Sequence, residues 1–564
     1  MTPEQASAHL TLTDPRFALT DADIGGVRYR VFANAPAHLR ALLDAAGPAY
    51  GERDALVYQH ERWSYPRLCS EVMRLANAIS AELNVSAGDR VALAMRNYPE
   101  LPILFLAINA LGAVAVPMNA WWSEEELAYA IGDCGARVVF ADGPRHQRIE
   151  SFAARFGLQL VAVRDAQGPC TYADLRDGCR NDTWPDTPIA PDDDFAVFYS
   201  SGSTGHPKGV VLTHRSAISA VYSWMMARLM VPLINNTPPP AVPTPPSALI
   251  ITPLFHVTAL QSVFLQGLAT GTTLSLMYKW DAVEAVRIIK AERVTRFSGV
   301  PTQSADLMET ARRLGETLET LETIGGGGAK RPAVQVGQLA EVFPGAAIAS
   351  GWGMTETNAL GITIAGPDYL AHPEAAGRPT PPLQEVRIVD TQGQALAPGE
   401  VGELIVKSAA NMRGYLNQPE ATAQTLREGW LYTGDLARMD EDGLVYIVDR
   451  KKSIIIRGGE NIACLDVEGA LYRHPDVAEA CVFSMPHARL GEVVGAAVQL
   501  MPGASLTDTQ LSDFLTEHLA RFKIPERIWF WPEPLPRGGT DKIDRRALRA
   551  LCLSRDDSAT SQRA

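Results

Sequence analysis

Tyr199–His214 reads YSSGSTGHPKGVVLTH and follows directly on the apolar run Phe195–Phe198. That order predicts a strand running into a loop. Gly202, Gly205 and Gly209 leave the loop backbone bare while Ser200, Ser201, Ser203 and Thr204 add hydroxyls, so N–H and O–H donors are offered to an anion. Lys208 supplies one mobile cation. No Gly-Lys-Ser/Thr step occurs, so the segment departs from the Walker pattern and an ordinary P-loop kinase or GTPase is disfavoured.

Outward from this loop, helix-like and strand-like stretches alternate. Arg90–Met95 reads as strand, Glu100–Leu111 as helix, Ala113–Pro117 as strand, Glu124–Asp133 as helix and Arg137–Ala141 as strand. Such alternation predicts parallel strands with helical crossovers, hence an α/β fold.

The chain has 564 residues, 46% hydrophobic and 20% charged, enough to bury a large core and to form at least two domains. Its net charge of −13 excludes a general nucleic-acid binder, so anionic ligands must be held by aimed dipoles and single cations. The seven cysteines contain no CxxC pair, which indicates neither a zinc site nor a disulfide framework and makes a reducing cytoplasm the expected compartment. Met1–Thr20 lacks the basic-then-apolar order of a secretory signal. Leu101–Trp122 is uncharged over 22 positions, but Pro102, Asn109, Gly112 and Pro117 interrupt it, so it reads as a buried helix and strand rather than a membrane span.

Leu229–Tyr278 holds no Asp, Glu, Lys or Arg, and six of the twelve residues Asn235–Pro246 are proline. The proline run predicts an irregular loop, followed by a strand at Ala248–Thr252 and a helix at Thr258–Leu268. This stretch is either core plus linker or the wall of an apolar pocket, with contact to a membrane surface left open. Val386–Val389, Gly402–Val406 and Leu444–Val448 are short β-rich runs within a small subdomain, 385–448. Beyond the charged joint Asp449–Lys452, helix and strand signals resume at Asp466–Arg473, Ala478–Phe483, Val493–Leu500 and Asp508–Leu519, and a smaller domain starts there. The Ser-, Asp- and Arg-rich tail is expected to fray.

The Tyr199–His214 run resembles the signature loop of the adenylate-forming superfamily of acyl-CoA synthetases, adenylation domains and luciferases. Further blocks follow in the family's order: GWGMTET at Gly351–Thr357, WLYTGD at Trp430–Asp435, DRKKSIIIRGGEN at Asp449–Asn461 and PRGGTDKIDR at Pro536–Arg545. The resemblance implies a large N-terminal domain of parallel α/β sheets with a small β subdomain, 1–449, a mobile α+β C-terminal domain, 450–554, and a disordered tail, 555–564. It also implies a two-step reaction in which a carboxylate attacks the α-phosphate of ATP, pyrophosphate leaves, and the acyl-adenylate is attacked by the thiol of coenzyme A.

Residue by residue, the resemblance assigns the triphosphate to the loop Ser200, Ser201, Gly202, Ser203, Thr204 and Gly205 with Lys208, the α-phosphate to Thr355, and Mg²⁺ to Glu356 with Thr204. Gly351, Trp352 and Gly353 would border the nucleotide, Trp352 replacing a usual tyrosine and so losing a phenol hydroxyl. Asp435 and Arg450 would hold the ribose. Lys542 would bridge the attacking carboxylate and the nucleotide, although Asp541 stands where the family has glycine and Gly538 replaces a common threonine. Lys452 would be the hinge that swings Lys542 out and brings the loop of Gly458 and Gly459 in.

His256 would gate the acyl pocket, with Gly299, Gly326, Gly327 and Gly328 lining it beside the Ser298–Thr302 segment. The missing bulk at the glycines favours an extended or large hydrophobic acid over acetate, with medium- or long-chain fatty acids first and aryl or ring-bearing acids as the alternative. Retention of Lys208, Glu356, Asp435, Arg450 and Lys542 disfavours a non-catalytic nucleotide-binding homologue, and Ser298 in place of an acid beside Phe297 disfavours amino acids. Monomer and homodimer both remain open.

Overall fold

The computed structural model describes residues 1–200, 206–236, 244–538 and 542–561, with side chains through Arg555. Two large sheets form the bulk of the protein. One has seven strands, with a parallel centre in which Arg90–Ala94 lies between Val114–Pro117 and Val138–Asp142. At its other side Asp194–Ser200 turns back antiparallel into Lys208–Thr213. The segments flanking 201–205 are therefore two neighbouring strands.

The second sheet has nine strands, with Ser247–Ile250, Arg296–Gly299, Thr323–Gly327 and Ala347–Trp352 side by side and parallel. Their carboxyl ends point to one edge, where open α/β sheets present ligand sites. Glu100–Ala110 is buried on every side and runs on to the buried strand Val114–Pro117, which explains why the uncharged 101–122 stretch has no polar face. One described helix, His214–Ile234, is long and apolar enough to cross a membrane, yet its first four turns are buried in the core.

A five-stranded sheet contains Glu385–Val389, Gly402–Lys407, Trp430–Met439 and Val445–Arg450. The last sheet, in 455–531, combines Ile455–Arg457 and Glu460–Ile462 with the long hairpin Val477–His487 and Gly491–Leu500, and Arg527–Trp531 joins it parallel. Its own apolar cluster includes Ile455, Val467, Val482, Val498 and Leu511, so this unit has a separate core.

Two sequence expectations are revised. The 258–268 helix is not uniform: Val257–Ala259 is α-helical, Leu260–Leu265 is a π segment and Gln266–Ala269 returns to α. At the C-terminus the helix Arg545–Ser561 continues through most of the segment expected to fray, because Leu548 and Cys552 anchor its first turns against Phe483 and Trp529. The proline-rich 237–243 lies outside the described residues.

Candidate active site

Asp435 sits mid-strand in Trp430–Met439, directly opposite Arg450 in the antiparallel register, with an irregularity just after it between Leu436 and Ala437. Its carboxylate is only 4% exposed. Oδ2 accepts from the Trp352 indole Nε1 at 2.8 Å, and Oδ1 faces Arg450 Nε at 3.1 Å without aligned hydrogen-bond geometry. Burial raises the Asp435 pKa, and the Arg450 charge and the indole bond pull it partly back. Trp352 ends the strand Ala347–Trp352, so one bond links the nine-stranded sheet to the five-stranded one. Trp352 lacks the phenol hydroxyl of a tyrosine, as the sequence implies, but its indole N–H is itself a donor, to Asp435.

Glu356 occupies the short 3₁₀ turn Thr355–Thr357 immediately after this strand. It is 7% exposed, accepts from the Tyr415 hydroxyl at 2.9 Å, and its pKa is raised by burial first of all. Lys208 heads its strand opposite Ser200, and its ammonium lies 4.9 Å from the centre of the Tyr415 ring. Tyr415 therefore contacts both, a role the sequence reading missed. Its only signal was an aromatic in the turn-rich stretch RGYLN; the pairing of Gly414–Tyr415 with Val210–Val211 brings it in.

Ser201, Gly202, Ser203, Thr204 and Gly205 lie outside the described residues. Among the described residues no group of three His, Cys, Asp or Glu side chains could cage a metal. A single buried carboxylate such as Glu356 suits Mg²⁺, which keeps waters and takes its remaining ligands from a nucleotide's phosphates.

Lys542 reaches the same cleft from the C-terminal unit. Gly538 N donates to Lys542 O at 2.8 Å and Arg537 Nη1 donates to Thr302 Oγ1 at 3.4 Å, which fastens the loop to the large domain. A Cβ on Gly328 would stand 2.8 Å from Lys542 Cε and 3.1 Å from Nζ. Crowding by protein, then the charge of Arg450, lowers the Lys542 pKa, and solvent open to the side chain limits that drop. Asp541 lies outside the described residues.

On the other side of Lys542, His256 packs on Phe255 at 4.5 Å between ring centroids, and Phe255 packs on Trp121 at 5.4 Å. Its pKa falls to about 3 through burial and then the Lys542 charge, which leaves a neutral imidazole whose Nε2 lacks a partner among the described residues.

The glycines do not all leave free space. A Cβ on Gly326 would meet Arg331 Nη2 at 2.2 Å, and one on Gly299 would meet Gln303 Oε1 at 2.6 Å and Ile251 Cδ1 at 2.7 Å. Arg331, 2% exposed and donating to Ser304 Oγ at 2.9 Å, fills the volume that the sequence reading gave to an acyl chain. Gly327 is hemmed only by Gly351 O at 3.6 Å. Gly353 packs against the Ala359 backbone, where a Cβ would lie 2.4 Å from its carbonyl oxygen.

Lys452 lies in the turn after Arg450. Gly458 and Gly459 form the tip of the hairpin Ile455–Ile462, which hydrogen-bonds to Leu490 O and Glu492 Oε2 within the C-terminal unit.

Comparison with known proteins agrees with this geometry. The AMP-binding enzyme family profile matches residues 43–416, and that of the AMP-binding enzyme C-terminal domain matches 466–542. Feruloyl-CoA synthase of Amycolatopsis sp is 35% identical over 480 residues, 85% of this chain and 92% of that protein. A long-chain-fatty-acid–CoA ligase of Bacillus subtilis is 30% identical over 539 residues, 90% and 94% of the two chains. The ATP-bound structure of MatB from Rhodopseudomonas palustris superposes with a TM-score of 0.81 at 27% identity, covering 91% of this chain and 99% of that one. With its cleft flanked by Asp435, Glu356 and Lys542 and both family profiles matched in order, the chain belongs to the AMP-binding enzyme family, among its AMP-forming CoA ligases.

Proposed function

We propose that this protein activates a hydrophobic, ring-bearing carboxylic acid to its acyl-adenylate and then to its coenzyme A thioester. The observation that carries this reading is the convergence of Arg450, Lys542 and His256, each close enough to lower the pKa of the next, beside the buried carboxylates of Asp435 and Glu356.

In the first step a carboxylate oxygen of the acid attacks the α-phosphorus of ATP and the bond to pyrophosphate breaks. Lys542 sits where it can neutralise both anions as they approach, a contribution on the order of 3 kcal/mol by analogy with one oxyanion donor. Asp435, oriented by Trp352, accepts from the ribose hydroxyls, and the Arg450 charge beside it favours its ionised form. Lys208 and the loop before it receive the leaving phosphates. Mg²⁺ at Glu356 supplies Lewis-acid charge stabilisation when bound. In the second step the thiol sulfur attacks the acyl carbon, the bond to AMP breaks and the thiol proton is released. Neutral His256 walls the acyl side without adding a charge that would hold water there.

Ring-bearing acids are favoured over extended fatty acids because Arg331, Gln303 and Ile251 take up the space beside Gly326 and Gly299. Each buried methylene contributes roughly 0.8 kcal/mol, about fourfold in affinity, in a long apolar tunnel. Pyrophosphate release with cinnamic, benzoic and C6–C16 fatty acids, with and without coenzyme A, tests the reading. A steady climb in kcat/KM with chain length would restore the fatty-acid assignment, and release with none of the acids would end the ligase one.

A further inference from the structure

The helix that follows His256, Val257–Ala269, carries two buried polar side chains, Gln261 and Gln266. The π segment Leu260–Leu265 brings residues five apart into line, and the Gln266 N–H donates to Gln261 O across it. Gln261 and Gln266 thus share a face of this helix. Gln261 is 0% exposed, and neither its Oε1 nor its Nε2 has a partner among the described residues. Leaving such a buried amide unpaired is unfavourable, so its persistence points to a polar group that it meets in use.

Gln266, also buried, accepts from Arg296 Nη2 at 3.1 Å. Arg296 begins the strand Arg296–Gly299, and alternation places it on the face of Ser298, whose Oγ stands 3.1 Å from the Cβ position of Gly325. Phe297 points the opposite way, into the second apolar cluster. Half-buried Arg296 makes no ion pair among the described residues. Burial and then the positive charge of Arg228, from the His214–Ile234 helix, lower its pKa to about 10, while exposed Glu322 acts in the other direction. Arg228 likewise has no ion pair among the described residues. A guanidinium hydrogen-bonded to a buried amide and a second, unsatisfied buried amide on the same helix face therefore stand without an ion-paired carboxylate among the described residues.

We infer that Arg296, with Gln266 and Gln261, binds a second carboxylate carried at the far end of the substrate acid. The inference rests on the carboxylate-activating reading above and narrows its substrate to diacids. Arg296 is three residues before Gly299, about 10 Å at roughly 3.3 Å per residue, which sets the separation of the two acid groups. Val300, next after Gly299, and Lys542 both border the Cβ position of Gly328, so one carboxylate would react at that end of the strand while the other is held at Arg296.

The experiment compares pyrophosphate release from two matched pairs, octanedioic against octanoic acid and 4-carboxycinnamic against 4-methylcinnamic acid. The diacid is expected to be favoured at least about tenfold in kcat/KM in one pair or both. Arg296→Met should abolish or invert that ratio and Arg296→Lys should keep most of it, with thermal unfolding reporting whether each variant is folded. A monoacid equal to or better than its diacid in both pairs overturns the inference, as does an unchanged ratio in folded Arg296→Met. If Arg296→Met does not fold, the Arg296→Lys and wild-type ratios decide. Release from monoacids alone leaves the ligase reading standing and removes only this one; silence with every acid removes both.

Discussion

The indole Nε1–H of Trp352 donates to Asp435 Oδ2 at 2.8 Å across 83 residues of sequence. It fixes one oxygen of a buried carboxylate whose other oxygen faces Arg450. The carboxylate is therefore oriented before any nucleotide arrives, and its remaining lone pairs are aimed rather than free to rotate.

Replacing Trp352 by Phe keeps an aromatic face and removes only the donor. A hydrogen bond to a charged group contributes about 1.5–3 kcal/mol, so KM for ATP should rise about tenfold or more with a smaller change in kcat. Initial rates of pyrophosphate release against ATP concentration measure this. An unaltered KM would mean that Arg450 and the strand alone set the carboxylate.

Glu356 has its pKa raised by burial, so the folded protein favours its protonated form more than the unfolded chain does. The sign is that of a group whose stabilisation is present at low pH and lost as pH rises through the folded value. Glu356→Gln should therefore raise Tm by a few degrees at pH 8 and by less at pH 5, while Tyr415 still has an amide oxygen to donate to. If Glu356 holds the metal, activity should fall by two orders of magnitude or more, on the order of losing one electrostatic stabiliser. Melting curves at the two pH values together with pyrophosphate assays separate the effects.

Much of this was legible in the sequence for a local reason. Strands such as Arg90–Ala94 and Val114–Pro117 are short apolar runs bounded by turn residues, and the Asp435 and Arg450 blocks each carry their own pattern. What escaped depends on distant segments meeting. Tyr415 reaches Glu356 only because a two-residue strand pairs with Val210–Val211. Glycines at 299 and 326 announced missing bulk, but the residues that fill it, Ile251, Gln303 and Arg331, come from other elements. The π segment was equally hidden, since its apolar pattern is that of an ordinary helix.

His214 is 0% exposed, with Nδ1 accepting from Leu39 N at 3.3 Å, and burial lowers its pKa to about 3. A histidine held neutral in the fold but free to take a proton when unfolded near pH 6.5 makes stability fall as pH drops below that value and on toward 3. Urea midpoints between pH 7 and 5 should decline for the wild type. His214→Gln should start lower, having lost a fitted ring, and decline less steeply. Parallel slopes would assign the acid sensitivity to other groups, His256 first among them.

Lys452 stands between two backbone bonds, Lys451 N to Gly434 O and Ser453 N to Arg450 O, both 2.8 Å. A hinge at this point must change φ, and proline fixes φ near −65°. Lys452→Pro should leave acid-dependent ATP–pyrophosphate exchange within about threefold of wild type while thioester formation from preformed acyl-adenylate drops by about tenfold or more. Equal losses in both half-reactions would remove the hinge assignment.

Gly328 supplies the opposite test. It adopts φ +78°, which side chains other than glycine tolerate poorly, and a methyl there would press on Lys542 Cε. The main effect of Gly328→Ala should be to push the lysine out of the cleft, because the lysine stem can move and the strand end cannot. Adenylation should then fall by about a hundredfold, close to the effect of Lys542→Ala. If Lys452 is the hinge, Lys542 is withdrawn in the second half-reaction, and thioester formation from supplied acyl-adenylate should survive. The double variant Gly328→Ala/Lys542→Ala should be little worse than either single change, because both remove one interaction. Additive losses would show that Gly328 acts on the cleft by some route other than Lys542.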